Sequence, residues 1–116
     1  MSKNEVMLLN LEELVFSVGG TIVSGGKFQA EGIYSVATDS RNVKEKGAFF
    51  PLIGEFQDGH NFIGKAIDNG ASVIVADEKV WEENSEKYLP IVKDKATVIK
   101  VKNTLYALQA AAAFYV

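Results

Sequence analysis

An α/β fold is what this sequence predicts: a small mixed, largely parallel sheet with flanking helices. Three observations carry that expectation. Residues 47–53 are a continuous apolar run, the character of a strand buried on both faces, and residues 72–76 and 97–101 read as two further buried strands. Helical patterns separate these runs, so strand, helix, strand, helix, strand implies crossover connections and parallel pairing. The glycine-rich first third offers only short strand segments, expected to join as short or antiparallel strands at one side.

The elements follow in order. Asn10 is a candidate N-cap, and Glu13 stands three residues on, as in a capping box. Leu11, Leu14, Val15 and Val18 then share one helical face, and Gly19-Gly20 stops the helix. Residues 21–24 read as a short strand and Gly25-Gly26 as a turn. A strand is expected over 33–38 and another over 47–53. A short helix over 61–69 turns Phe62, Ile63, Ala66 and Ile67 inward and stops at Asn69-Gly70. After the 72–76 strand, residues 80–88 read as a polar, exposed helix closed by Pro90. Beyond the 97–101 strand, Asn103 or Thr104 caps a last helix with Leu105, Leu108, Ala112 and Tyr115 on one face. The chain stops at Val116 on an apolar residue, so a piece of a longer protein is expected.

Composition narrows the function. The 116 residues fit one small domain, and 47% hydrophobic residues are enough for a core and too many for disorder. With net charge −3 and scattered basic residues, the chain lacks the clustered cations that a nucleic-acid surface needs. There is no cysteine, which excludes disulfides, thiolate zinc sites and a cysteine nucleophile and fits the cytoplasm. The polar start, Met1 to Glu5, and the break at Glu12-Glu13 argue against a signal peptide or membrane span.

Several chemistries fail on spacing. Gly20 to Gly25 has the glycine spacing of half a P-loop. Gly26 stands where the lysine belongs, and Lys27 is followed by Phe28 instead of Ser or Thr. His60 is the only histidine, so no histidine-based zinc site assembles, and no metal is expected. Ser40, His60 and Asp58 make a triad only on paper, since no Gly-x-Ser-x-Gly elbow exists.

What remains are two polar clusters bracketing the 47–53 strand. In Thr38-Asp39-Ser40-Arg41, two readings stand side by side. One is an Asx-type turn with Arg41 paired to Asp39 or Asp58; the other is a loop whose hydroxyls and amides grip a polar ligand. In Gly54 to Gly59, the glycines permit close backbone approach, and Phe56 is either core or cover for a flat ring. His60 either caps the helix beginning near Asn61, bonds a loop carbonyl or meets a ligand.

The run Thr38-Asp39-Ser40-Arg41, Lys46-Gly47-Ala48-Phe49-Phe50-Pro51-Leu52, Gly54-Glu55 and Asp58-Gly59-His60 with Phe62-Ile63 resembles the N-terminal domain of the Mur ligases. Ala66, Asn69-Gly70-Ala71, the 73–76 strand and residues 101–108 continue the likeness. These are cytoplasmic, ATP-dependent amide ligases of peptidoglycan synthesis. The resemblance implies that residues 1–102 are a UDP-substrate-binding N-terminal domain. Residues 103–116 would begin the linker helix toward a central ATP-binding domain. Residues 49–55 look most like the member that adds D-alanyl-D-alanine to UDP-N-acetylmuramoyl-tripeptide; the lysine- or diaminopimelate-adding member is the alternative. A stand-alone nucleotide-sugar-binding module is another.

By that likeness, Thr38, Ser40, Glu55, Phe56 and Gln57 are UDP-binding candidates, the last three by loop position. Asp39, Arg41, Asp58, Gly59 and His60 would support the two loops. The implied ligand is the UDP-N-acetylmuramoyl-peptide, and the implied partners are the central and C-terminal ligase domains, with no nucleic acid and no membrane. The catalytic P-loop, the magnesium-holding carboxylate and histidine, and the carbamylated lysine of the family lie in its central domain. No catalytic residue or cofactor is therefore expected within this sequence; ATP and Mg2+ are expected for a parent ligase, and the chain alone is expected to be inactive.

Overall fold

The computed structural model describes residues 6–23 and 27–115. Within them the order is β1 (Leu9–Asn10), α1 (Leu11–Val18), β2 (Thr21–Val23), β3 (Gly32–Ile33), β4 (Val36–Ala37) and β5 (Gly47–Phe49). Then come α2 (Ile63–Asp68), β6 (Ala71–Asp77), α3 (Glu78–Val92), β7 (Thr97–Val101) and α4 (Thr104–Tyr115). Two 3-10 turns, Ser40–Asn42 and Gly59–Phe62, lie between β4 and β5 and between β5 and α2. The expected Gly25-Gly26 turn lies outside the described residues, as do the Met1 to Glu5 segment, Ser24 and Val116.

The main sheet has the strand order β2-β7-β6-β5-β4. Pairings β4–β5, β5–β6 and β6–β7 are parallel, and β2 runs antiparallel to β7 at the edge. A separate antiparallel pair, β1–β3, stands beside it. The α/β class and the mixed, largely parallel sheet are as the sequence predicts.

Alternation along the central strands divides the core. Val73, Val75, Ile99 and Val101 pack on one side with Leu11, Leu14 and Ala107 from α1 and α4. Ile74, Ala76 and Val98 pack on the other with Ile63, Trp81 and Val92 from α2 and α3. Successive strand side chains point to opposite faces, so a strand covered by helices on both sides must be apolar throughout. That is why Val73 to Ala76 and Val98-Ile99 are apolar without alternation, while Ser72, Thr97 and Lys100 stand toward the strand ends.

Helix α1 forms as the sequence predicts. The Asn10 Oδ1 accepts from the Glu13 amide at 2.8 Å, and Glu13 Oε1 accepts from the Asn10 amide at 2.8 Å. Gly19 ends it with φ 62°, a left-handed conformation that glycine adopts without a Cβ penalty.

Five elements depart from expectation. The 33–38 strand divides in two: β3 pairs with β1, whereas β4 joins the main sheet beside β5. The chain crosses between sheets here, at Tyr34-Ser35, with no glycine or proline to mark the change of partner. The 47–53 strand stops at Phe49; the Phe50 amide still reaches the Ala37 carbonyl at 2.9 Å, but Pro51 has no N–H with which to continue.

The 61–69 helix begins as a 3-10 turn, and α2 proper starts at Ile63. Ile63 and Ala66 are buried, whereas Phe62 is 38% exposed and turns away from the core. Helix α3 starts earlier and ends later than 80–88. It carries Pro90 inside it and bends at Asn84 (φ −126°, ψ 17°), whose Nδ2 donates to the Val80 carbonyl at 2.8 Å. It is not wholly exposed: Trp81, Tyr88 and Val92 are buried, and the Trp81 and Tyr88 rings stack at 5.8 Å. Helix α4 buries Thr104, Ala107 and Ala111; of the expected stripe, Leu108 packs half-buried against the core, whereas Leu105 is 46% exposed and Ala112 is exposed. Alanines let α4 approach α1 and the sheet closely, so small residues outweigh leucine in choosing the face.

Candidate functional site

Parallel strands β4, β5 and β6 end on the same side of the sheet. The loops leaving β4 and β5 stand there together, at the carboxyl edge where ligands bind in open α/β sheets. Between them lies a cleft of about 810 Å³. Thr38, Asp39, Ser40 and Arg41 line one wall, and Gly54, Phe56, Gln57 and Gly59 line another. Both polar clusters singled out in the sequence thus meet at one site.

Each wall is built on the same local device. After β4, Asp39 caps a 3-10 turn, its Oδ1 accepting from the Arg41 amide at 2.9 Å. Arg41 folds back on the same carboxylate, with Nε to Oδ1 at 3.0 Å and Nη2 to Oδ2 at 2.6 Å. The guanidinium holds the Asp39 carboxyl down at about 2, through its side-chain bond first and the backbone bond second. Of the two partners the sequence allows for Arg41, the structure selects Asp39. Ser40 is buried, and its carbonyl accepts from Asn69 Nδ2 at 2.8 Å, which ties this loop to the end of α2.

On the other wall, Asp58 caps the second 3-10 turn, its Oδ1 accepting from the His60 amide at 2.9 Å. The Gly54 amide donates to the Gln57 carbonyl and the Gly59 amide to the Leu52 carbonyl, each at 2.8 Å, closing the loop on itself. A Cβ on Gly59 would stand 2.9 Å from the Leu52 nitrogen and 3.1 Å from the Pro51 Cα, so this close approach requires glycine.

His60 is 1% exposed. Its Nε2 accepts from the Asp77 amide at 3.0 Å, which leaves the ring proton on Nδ1, donated to Asp58 Oδ1 at 2.6 Å. The side chain therefore neither caps the helix near Asn61 nor bonds a loop carbonyl. It bolts the 54–59 loop to the junction of β6 and α3, where Asp77 itself caps α3 by accepting from the Lys79 and Val80 amides. Burial, and then the Asp58 charge, push the Tyr88 phenol above its ordinary range.

Among the expected contact residues, Thr38, Ser40, Phe56 and Gln57 line the cleft. Glu55 is exposed on the loop and is not part of the lining. Phe56 is 94% exposed, which decides between its two readings: it is not core. Asp58 and His60 stand behind the wall. The structure adds Lys65, and also Phe62, which the helical periodicity places on the inward face. The signal was available: on a helix whose Ile63 and Ala66 face inward, positions 62 and 65 fall together on the flank. Among the described residues, no group of three or more His, Asp or Glu side chains comes together to hold a metal ion. No helix among them is long and apolar enough to cross a membrane.

Comparison with known proteins gives this cleft a context. The sequence model described as "Mur ligase family, catalytic domain" matches residues 32–116. A UDP-N-acetylmuramoyl-L-alanyl-D-glutamate--2,6-diaminopimelate ligase of Clostridium tetani is 43% identical over 83 residues, 72% of this chain and 16% of the relative. A UDP-N-acetylmuramoyl-tripeptide--D-alanyl-D-alanine ligase of Treponema pallidum is 35% identical over 109 residues, 94% of this chain and 23% of the relative. The chain thus spans less than a quarter of the length of these two curated relatives. Among solved structures, the UDP-N-acetylmuramoylalanyl-D-glutamyl-2,6-diaminopimelate--D-alanyl-D-alanyl ligase from Acinetobacter baumannii superposes with a TM-score of 0.71 at 24% identity. That match covers 97% of this chain and 22% of the other, and it shows a shared fold. With its sheet, its two Asp-capped loops and a family match over residues 32–116, the chain belongs to the Mur ligase family.

Proposed function

We propose that this chain is the substrate-binding domain of an ATP-dependent amide ligase of peptidoglycan synthesis, and that its cleft holds the uridine-diphosphate end of a UDP-N-acetylmuramoyl-peptide. The carrying observation is the cleft itself. Polar groups of the Thr38–Ser40 wall face a loop whose Phe56 is 94% exposed. An aromatic side chain so open to water gains by lying against a flat base, and Thr38 offers a hydroxyl to polar ligand atoms. Gln57 lines the same wall, and Glu55, exposed on the same loop outside the lining, is the remaining candidate contact. Asp39 and Arg41 shape one loop, and Asp58, Gly59 and His60 close and fasten the other.

The reaction assigned to the parent protein is addition of D-alanyl-D-alanine to UDP-N-acetylmuramoyl-tripeptide. Support comes from D-alanyl-D-alanine ligases matched over 94% and 91% of the chain, and from the solved relatives. The 43% identity to a diaminopimelate ligase favours the alternative, addition of the third peptide residue. Either ligase needs ATP and Mg2+. No Gly-Lys-Thr or Gly-Lys-Ser run occurs in this sequence, so those groups are assigned to parts of the parent protein beyond it, in the cytoplasm.

Phosphate release by the full-length ligase separates the two reactions. Turnover with the UDP-linked tripeptide and D-alanyl-D-alanine is expected; turnover only with the UDP-linked dipeptide and diaminopimelate or lysine would select the alternative. The 116-residue chain alone is expected to release no phosphate above background with any substrate set, and turnover by it would contradict the assignment.

A further inference from the structure

We infer that Lys65, on α2, is the residue that answers the charge of the ligand's diphosphate; the inference rests on the nucleotide reading of the cleft. Two cations line the cleft, Arg41 and Lys65. Arg41 is already spent: its Nε and Nη2 hold both oxygens of Asp39, so the pair presents little net charge to a ligand. Lys65 is exposed and makes no ion pair or side-chain hydrogen bond among the described residues.

Its position is fixed from both sides of the helix. Ile63 and Ala66 bury the opposite face of α2 in the core. Three residues apart, Phe62 and Lys65 lie on one flank, and both line the cleft. At the end of the helix, Asn69 Nδ2 donates to the Ser40 carbonyl at 2.8 Å, which ties α2 to the Ser40 wall. The flexible four-carbon stem lets the ammonium follow a phosphate while the helix stays fixed. A diphosphate brings more than one negative charge into a cleft where the remaining carboxylate is neutralised, and Lys65 is the cation left to meet it.

The test is a ligand series read by NMR titration of the 116-residue chain: uridine, then UMP, then UDP. In the unsubstituted chain, affinity is expected to rise along the series and to weaken with added salt. Lys65→Met keeps most of the stem and removes the charge. It is expected to lower UDP affinity by roughly tenfold, the scale of one charge-assisted contact, and to leave uridine unchanged. Lys65→Arg is expected to recover most of the loss, and Lys95→Met, a surface change of the same net charge, to lose little. If Lys65→Met binds UDP as tightly as the unsubstituted chain, the role of Lys65 is overturned while the cleft reading stands. If Lys95→Met loses as much as Lys65→Met, the effect is one of overall charge and the role of Lys65 is likewise overturned. Should the unsubstituted chain fail to bind both UDP and uridine, the cleft reading falls and the inference with it.

Discussion

The two walls of the cleft carry the same local motif with opposite fates. Asp39-Ser40-Arg41 and Asp58-Gly59-His60 each place an Asp before a 3-10 turn, at φ −110° and −105°, and each Asp accepts from the amide two residues on at 2.9 Å. In both, the basic side chain at that second position returns to the same carboxylate. Arg41 does so in water, with its side chain 79% exposed; His60 does so in the core, at 1%. One motif therefore shapes a surface, and the other fastens a loop to the scaffold. Sequence spacing sets the turn; the third partner decides the role. His60 has one, the Asp77 amide, and Arg41 has none within the described residues.

Breaking the buried copy should have the largest effect. His60→Ala opens a cavity and strands the Asp77 amide, and should destabilise the fold by about 2–4 kcal/mol in urea unfolding. A loss below about 1 kcal/mol would mean that the loop is not fastened through this ring. Asp58→Ala removes the cap and the acceptor for Nδ1, and should cost about 1–2 kcal/mol. Phe56→Ala should leave the unfolding midpoint unmoved, because the ring buries almost nothing, and should weaken nucleotide binding severalfold. Equal loss of stability and binding would place Phe56 in the core after all.

The exposed copy should yield the smallest changes. Arg41→Ala should leave the midpoint where it is, since solvent and salt screen an open ion pair. Its effect belongs in the titration of Asp39, followed by carboxyl-carbon NMR. That group should titrate at about 2, and Arg41→Ala should return it toward the ordinary 3.8. The sign follows from the depressed value. Whatever the pair adds to stability is complete above the unfolded pKa and disappears as pH falls through about 2.

How far the sequence could be read depended on which neighbour mattered. Residues 73–76 and 98–99 announced themselves, since burial on both faces favours apolar residues at every position. Asn10, Glu13 and Gly19 marked α1 because caps are local chemistry. The 33–38 run did not show its division, because its two halves pair with strands far apart in sequence, Leu9 and Ala48 among them. In α4, the buried face follows alanines that periodicity counts below leucine. At the cleft, the Asp39 turn was legible as one of two readings, whereas the matching turn at Asp58 was not read although it repeats the Asp-x-basic spacing. The Asn69 tie to Ser40, the His60 bolt to Asp77 and the free Lys65 depend on contacts across elements that no spacing states.

The nucleotide reading requires both walls to form one site. Amide shift mapping of the 116-residue chain with UDP at millimolar concentration tests it most directly. The account predicts changes at Thr38, Ser40, Phe56, Gln57 and Lys65, on both sides of the cleft and saturating together. Changes on the α1–α4 face instead, or none at all, would contradict it.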